Sequence, residues 1–378
     1  MADARDYLEM RGDITLAERP FNDCDNVALA TFAYLDLRGI APGAADSGSV
    51  SVSEACRRFM ERAGGDDIAA WVRSLAAVDA RFVLALGASE RFGASCVRSY
   101  VDAVDEERVL QFSALCIDLD DGHTYVAFRG TDSSLVGWRE DFMLSFQVTE
   151  AQRAAAAYLE SEVRTAQREG RSLYVGGHSK GGILAEYACA VLPEELRGVV
   201  DHVWSDDGPG MTQGAVPVPC AEVYGERFTH VVPEYGIVGM LFDDGSAKKY
   251  VKSSATGATQ HDPLSWQMGA KGLIEADGLL PEARRMDDAL AGWISGIEPD
   301  ERERFTDELF GVLEAGGATT LAEVTGSLKS VQAVAQALAG SDQRTRDLVW
   351  ELLGAAIGAN IGSAKDAVAA YAARLLQK

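Results

Sequence analysis

The residues of this chain with the clearest chemical potential are Gly177-His178-Ser179-Lys180-Gly181. They fit G-x-S-x-G, a sharp turn that holds a serine hydroxyl up between a strand and a helix. Such a serine becomes a nucleophile when a neighbouring base takes its proton, the first half of acyl transfer. A pentapeptide with three fixed positions recurs by chance, and its bland reading is a glycine-rich turn. The flanks supply what the pentapeptide lacks. Leu173-Tyr174-Val175 reads as a buried strand, and Ile183 to Leu192, stopped by Pro193, reads as a helix. The helix start points its amide groups toward developing negative charge.

A serine needs a base, and the chain has five histidines. The order expected around this turn is serine, acid, histidine. His123 lies upstream of Ser179. His178 adjoins the nucleophile and is expected to point elsewhere. His202 and His230 fall inside predicted strands, the first too soon after Ser179 for an acid loop between. His261 sits in a polar loop after the last predicted strand and is the candidate base.

The elements that must position these residues are legible in the middle of the chain. Leu115 to Leu119 and Tyr125 to Phe128 read as strands joined by the turn Asp120-Asp121-Gly122. Arg129-Gly130-Thr131-Asp132 leaves the second as a polar loop. Thr149 to Glu169 is an amphipathic helix, with Thr149 and Gln152 as a capping box and Gly170 as its left-handed stop. Val199 to Trp204, Phe228 to Val232 and Lys249 to Lys252 are further strands. Strands alternating with helices predict an α/β fold with a mainly parallel sheet and flanking helices. Upstream, Val27 to Leu37 and Ser53 to Arg62, capped by Ser53, are expected helices. Beyond Leu280, alanine, leucine and charge dominate. The expected division is a hydrolase-like domain over 1–278, its first 105 residues mostly helical, and a helical C-terminal region over 279–378. Helix starts there are read at Pro281, Thr320 with Glu323, Ser341, and Ser363 with Asp366. Phe305, Leu309, Leu313, Val349, Trp350 and Leu353 are its expected core.

Composition excludes several classes. A formal net charge of -23 repels nucleic acid and anionic membranes. The 378 residues, 47% of them hydrophobic, suffice for a sizeable core. The six cysteines show no C-x-x-C spacing, so no zinc or redox motif is expected. The first residues lack the apolar core of a secretory signal, and no stretch is long and uncharged enough to span a bilayer. A cytoplasmic location is expected, and no cofactor.

Phe128-Arg129-Gly130-Thr131, then Trp138 and Asp141, then Gly177 to Gly182, resemble the class 3 (fungal-type) lipases over Leu115 to His261. The fuller pattern resembles the Mbeg1-like family, a bacterial group related to those lipases, over most of the chain. It is carried by Pro20-Phe21-Asn22, Tyr34-Leu35, Asp207-Gly208-Pro209-Gly210, Ile237 to Leu241, and Gln260-His261-Asp262 with Trp266. The likeness implies an α/β-hydrolase fold and an oxyanion site made by Thr131 and the backbone N–H of Lys180. It also implies an acid after the strand Phe228 to Val232, where Gly236 stands instead of aspartate. Asp207 is the first alternative, Glu234 the second, and Asp206 a further one; each is also a plausible turn former. Lys180 departs from the apolar residue usual there, and pairing with Asp206 or Asp207, or contact with an anionic substrate, is expected. The loop Ser133 to Ser145, with Leu135, Trp138, Phe142 and Met143, reads as a lid or as plain core.

The expected function is a serine hydrolase of ester or thioester substrates, small or lipid. The competing readings are an inactive scaffold or binding protein that keeps the fold, and a peptidase or acyltransferase using the same residues.

Overall fold

The computed structural model describes residues 2–285 apart from 75, 133, 145, 212–213, 237 and 242–244, and then 298–320, 323, 333–334, 336–338 and 346. The helices α1 (Ala4–Arg11), α2 (Asp23–Phe32), α3 (Val52–Ala63) and α4 (Ala80–Ala88) come first, with strand β1 (Val50–Ser51) before α3. Strands β2 (Cys96–Asp105), β3 (Leu110–Asp118) and β4 (His123–Phe128) follow. Then come α5 (Leu135–Met143), α6 (Glu150–Glu169), β5 (Ser172–His178), α7 (Lys180–Val191) and β6 (Val200–Asp206). After these lie α8 (Cys220–Tyr224), β7 (Phe228–Pro233), β8 (Lys248–Val251) and α9 (Pro299–Glu314).

β1 to β8 form one sheet in chain order. Pairing is antiparallel from β1 to β4 and parallel from β4 to β8. This is the mainly parallel α/β-hydrolase-like sheet expected from the sequence. Its antiparallel start is longer than the hairpin turn alone implied, because β3 reaches back to Leu110 and pairs along β2. Side-chain alternation buries both faces. Ala114, Cys116, Val126 and Phe128 pack with α6 and α7, while Leu115, Ile117, Tyr125 and Ala127 pack with the N-terminal helices.

Local chemistry sets the helix ends. Thr149 and Gln152 bond reciprocally at the start of α6, and Gly170 is left-handed at its end. Asn22 and Asp25 form a second capping box, so α2 begins at Asp23 and not at Val27. Its helical hydrogen bonding ends before Leu37. The cap of α3 is Ser51, whose side chain accepts the Glu54 N–H, and not Ser53.

The segment read as a lid loop is the helix α5, started by Ser134, whose hydroxyl accepts the Gly137 N–H. Leu135, Trp138 and Phe142 meet Leu309, Phe310 and Leu313 of α9 in a hydrophobic cluster of their own. Phe305, Leu309 and Leu313 are therefore core, as expected. Residues 281–285 are helical, and the Thr320 hydroxyl accepts the Glu323 N–H. The starts at Ser341 and Ser363 and the core residues Val349, Trp350 and Leu353 lie outside the described residues. Among those described, no helix is long and apolar enough to cross a membrane.

Thr131 follows β4, Ser179 follows β5, Asp207 follows β6, and His261 lies in the segment after β8. They gather at the carboxyl ends of the parallel strands, where ligands of open α/β sheets bind.

Candidate active site

Ser179 is the single residue between β5 and α7, with φ 59° and ψ -129°. That backbone is costly for a residue with a side chain and persists only where its surroundings impose it. Here the sheet and helix are pressed together. A Cβ on Gly177 would lie 2.4 Å from the Gly181 carbonyl, and one on Gly181 would lie 2.1 Å from the Phe128 carbonyl oxygen. The Ser179 N–H donates to the Asp206 carbonyl at 2.9 Å, fixing the turn to β6.

His261 Nε2 lies 3.0 Å from Ser179 Oγ, and its Nδ1 lies 2.6 Å from Asp207 Oδ2. The His261 side chain is 29% exposed, whereas Asp207 is wholly buried. Asp207 Oδ1 accepts the Gly239 N–H at 2.9 Å, so both carboxylate oxygens have a donor. Asp207 also has a left-handed backbone, φ 45°, anchored by its N–H on the Val231 carbonyl.

The structure thus brings Asp207, and neither alternative acid, to His261. Glu234 engages the sheet through its backbone, donating to Val251 O and accepting from Leu280 N. Asp206 turns to the opposite face and accepts the Asn26 amide at 2.6 Å. Burial, with Asp23 nearby, pushes its carboxyl well above the usual carboxylate range. The glycine at 236 also has a geometric reason. A Cβ there would lie 2.2 Å from the Val232 side chain and 2.9 Å from Asp207 Oδ1. The Asp207 carboxylate fills the space beside Gly236.

His178 was expected to point elsewhere, and it instead holds the His261 loop. Its Nε2 lies 2.7 Å from the His261 carbonyl, and its ring packs 4.6 Å from the His261 ring. Burial holds it well below the usual histidine range, so it is neutral. A carbonyl only accepts, so Nε2 carries the proton and Nδ1 accepts from the Tyr34 hydroxyl at 2.7 Å. Trp266 adds a second tie, its indole N–H donating to Gln260 O at 2.8 Å. Tyr34 and His178 lie 144 positions apart, and no local pattern announces their contact. His123, His202 and His230 bond elsewhere, to Asp201, Thr229 and the Gly208 carbonyl.

The other flank of Ser179 is a charged cluster. Lys180 Nζ pairs with Glu140 at 3.0 Å, correcting the expected pairing with Asp206 or Asp207. α5 brings Glu140 over the start of α7, while Asp206 and Asp207 are taken by Asn26 and His261. Glu140 also accepts the Gln111 and Ala151 N–H groups at 3.1 and 2.8 Å. Deleting one partner of a buried, hydrogen-bonded ion pair of this kind costs about 3–5 kcal/mol. The Thr131 hydroxyl donates to Asp141 at 2.6 Å. Burial raises the Asp141 carboxyl to about 6, against the opposing pull of the Lys180 ammonium. Gly130 packs so closely that a Cβ would lie 2.7 Å from the His178 carbonyl oxygen. This seats the Thr131 loop beside the nucleophile turn. The Lys180 N–H, first in α7, has no acceptor within its helix.

No curated protein matches the chain. Among solved structures it is similar to M37 lipase, at 15% identity and TM-score 0.37, over 71% of this chain and 79% of that one. It is also similar to a mutant form of MDLA from Penicillium cyclopium, at 15% identity and TM-score 0.32, over 49% of this chain and 71% of that one. Lip2 lipase from Yarrowia lipolytica matches at 15% identity and TM-score 0.28, over 47% and 70%. The profile of the family described as Mbeg1-like matches residues 86–311, well over half of the chain and most of the sheet and site described above, and the chain belongs to that family.

Proposed function

We propose that the protein is a serine hydrolase of ester or thioester substrates, with Ser179 as nucleophile, His261 as base and Asp207 as acid. The observation that carries this reading is the unbroken run of hydrogen bonds from Ser179 Oγ through His261 to Asp207, at 3.0 and 2.6 Å. Asp207 accepts a hydrogen bond from the Nδ1–H, which leaves the Nε2 lone pair facing the serine hydroxyl. Ser179 Oγ attacks the acyl carbon as its proton passes to Nε2. The resulting oxyanion is held by the Lys180 N–H and the Thr131 backbone. Nε2 then protonates the leaving alkoxide or thiolate, giving an acyl-serine. Water attacks that ester, gives one proton to Nε2, and releases the carboxylic acid as Ser179 regains its hydrogen.

The wall between β7 and Asp207 supports the same reading. Gly236, the departure that motivates an inactive scaffold, abuts the carboxylate that faces His261, so the absent aspartate leaves no gap in the geometry. Hydrolysis of p-nitrophenyl esters of graded acyl length, by the protein and by Ser179→Ala, tests the proposal. Ser179-dependent turnover supports it, and the preferred length separates an esterase from a lipase. Equal rates for the two proteins would overturn it.

A further inference from the structure

Lys180, next to the nucleophile, is tied to α5 by an ion pair whose side chains are 1% and 0% exposed. Through the same Glu140, α5 is bonded to β3 at Gln111 and to α6 at Ala151. Its outer side is held as well. Leu135 packs with Leu309, Phe310 and Leu313 of α9, and its N–H donates to Thr319 O at 2.8 Å. Ser134 pairs with Thr320 as an antiparallel bridge, and Arg139 meets Asp307 at 2.7 Å. No residue of α5 is exposed.

These contacts bear on how substrate reaches Ser179. A segment that opens onto a lipid surface must offer it an apolar face and must leave its resting place cheaply. The apolar face of α5 is already covered by α9. Moving α5 outward would separate Glu140 from Lys180 and leave two charges in a buried setting. It would also withdraw Asp141 from Thr131 and so disturb the loop beside the nucleophile. Meanwhile His261 is reachable from solvent with α5 in place.

We propose that α5 is a fixed wall of the site, and that the substrate is an acyl ester or thioester taken as a single dissolved molecule and not drawn from a lipid surface. This rests on the hydrolase reading of Ser179. The test is a reversible lock. Bridge partners on antiparallel segments lie within disulfide reach, so Ser134→Cys with Thr320→Cys should crosslink on oxidation. A fixed wall predicts that the crosslink forms and that hydrolysis of dissolved p-nitrophenyl butyrate stays within about twofold of the reduced protein. It also predicts that the wild-type rate on tributyrin rises smoothly and levels off through the solubility limit. Three results would overturn it: no crosslink, activity lost on oxidation and restored by reductant, or a rate step of about tenfold as droplets form. Fluorophosphonate labelling of Ser179 in the same samples keeps the two ideas apart. Absence of label in both redox states defeats the hydrolase reading, while crosslink yield still decides whether α5 is held.

Discussion

Ser179 stands between two polar regions built on opposite principles. On one side, His261 and Asp207 form a short directed run of hydrogen bonds, partly open to solvent. On the other, Lys180 and Glu140 form a sealed ion pair, with Asp141 and Thr131 beside it. In the proposed reaction the first region passes a proton, and solvent access and a single anchoring acid suit that role. The second has nothing to transfer. Its charges hold α5 against α7, and every donor aimed at Glu140 adds rigidity. Each region buries one carboxylate completely, Asp207 in the first and Glu140 in the second; the difference lies in the partner, since His261 reaches solvent and Lys180 does not.

The largest expected effect breaks the first region at its acid. Asp207→Asn should lower kcat by about 10⁴, since an amide no longer fixes the productive tautomer of the histidine. Glu234→Gln should leave kcat within about twofold, because the Glu234 side chain has no role in that reading. Steady-state kinetics of the two variants separate Asp207 from its alternative. If Glu234→Gln were the damaging change, the assignment of the acid would be wrong.

Breaking the second region should cost stability first. Lys180→Met leaves Glu140 buried without its cation, and about 3–5 kcal/mol should be lost in urea denaturation. Lys180→Met with Glu140→Leu should recover only part of it, since the unpaired charge is gone but the Gln111 and Ala151 N–H groups lose their acceptor. A single variant as stable as the parent would mean the pair is not sealed.

The contrast between the regions also explains what the sequence made legible. The strand, turn and helix around Ser179 carry local signals: an apolar run, glycines at fixed offsets, and a proline stop. His261 could be singled out because chain order removes His123, adjacency to Ser179 removes His178, and predicted strands take His202 and His230. Asp207 ranked first among the acids on chain position alone. Its geometry depends on the close approach at Gly236 and Gly239, which no spacing reveals. Lys180 was legible as a departure, but its partner was not. Glu140 lies forty residues earlier on a helix whose sequence, Leu-Val-Gly-Trp-Arg-Glu-Asp-Phe-Met, carries a glycine and a weak helical stripe. Only the tertiary fit of α5 beneath α9 joins them. The role of His178 was hidden for the same reason, since its partners are Tyr34 and a backbone carbonyl far along the chain.

Smaller effects sharpen the comparison. His178→Phe keeps the ring but removes the donor to the His261 carbonyl, and kcat should fall roughly 10- to 100-fold as the base drifts from Ser179. KM should change little, and that split distinguishes mispositioned chemistry from lost binding. The smallest effect is a pH linkage in the second region. Folding raises the Asp141 carboxyl from 3.8 to about 6. The folded chain therefore takes up this proton before the unfolded one, and the Asp141 contribution favours folding as pH falls from about 6 toward 4. Asp141→Asn lacks that gain, so the stability of the parent relative to it should improve between pH 7 and pH 5. Denaturation midpoints at the two values check the sign.

The central claim is that Ser179 is a nucleophile activated by His261. Incubation with a fluorophosphonate probe, followed by peptide mass spectrometry, tests it most directly. The account predicts one adduct, on Ser179, absent in Ser179→Ala and strongly slowed in His261→Ala. No adduct on Ser179 in the folded parent protein would contradict it.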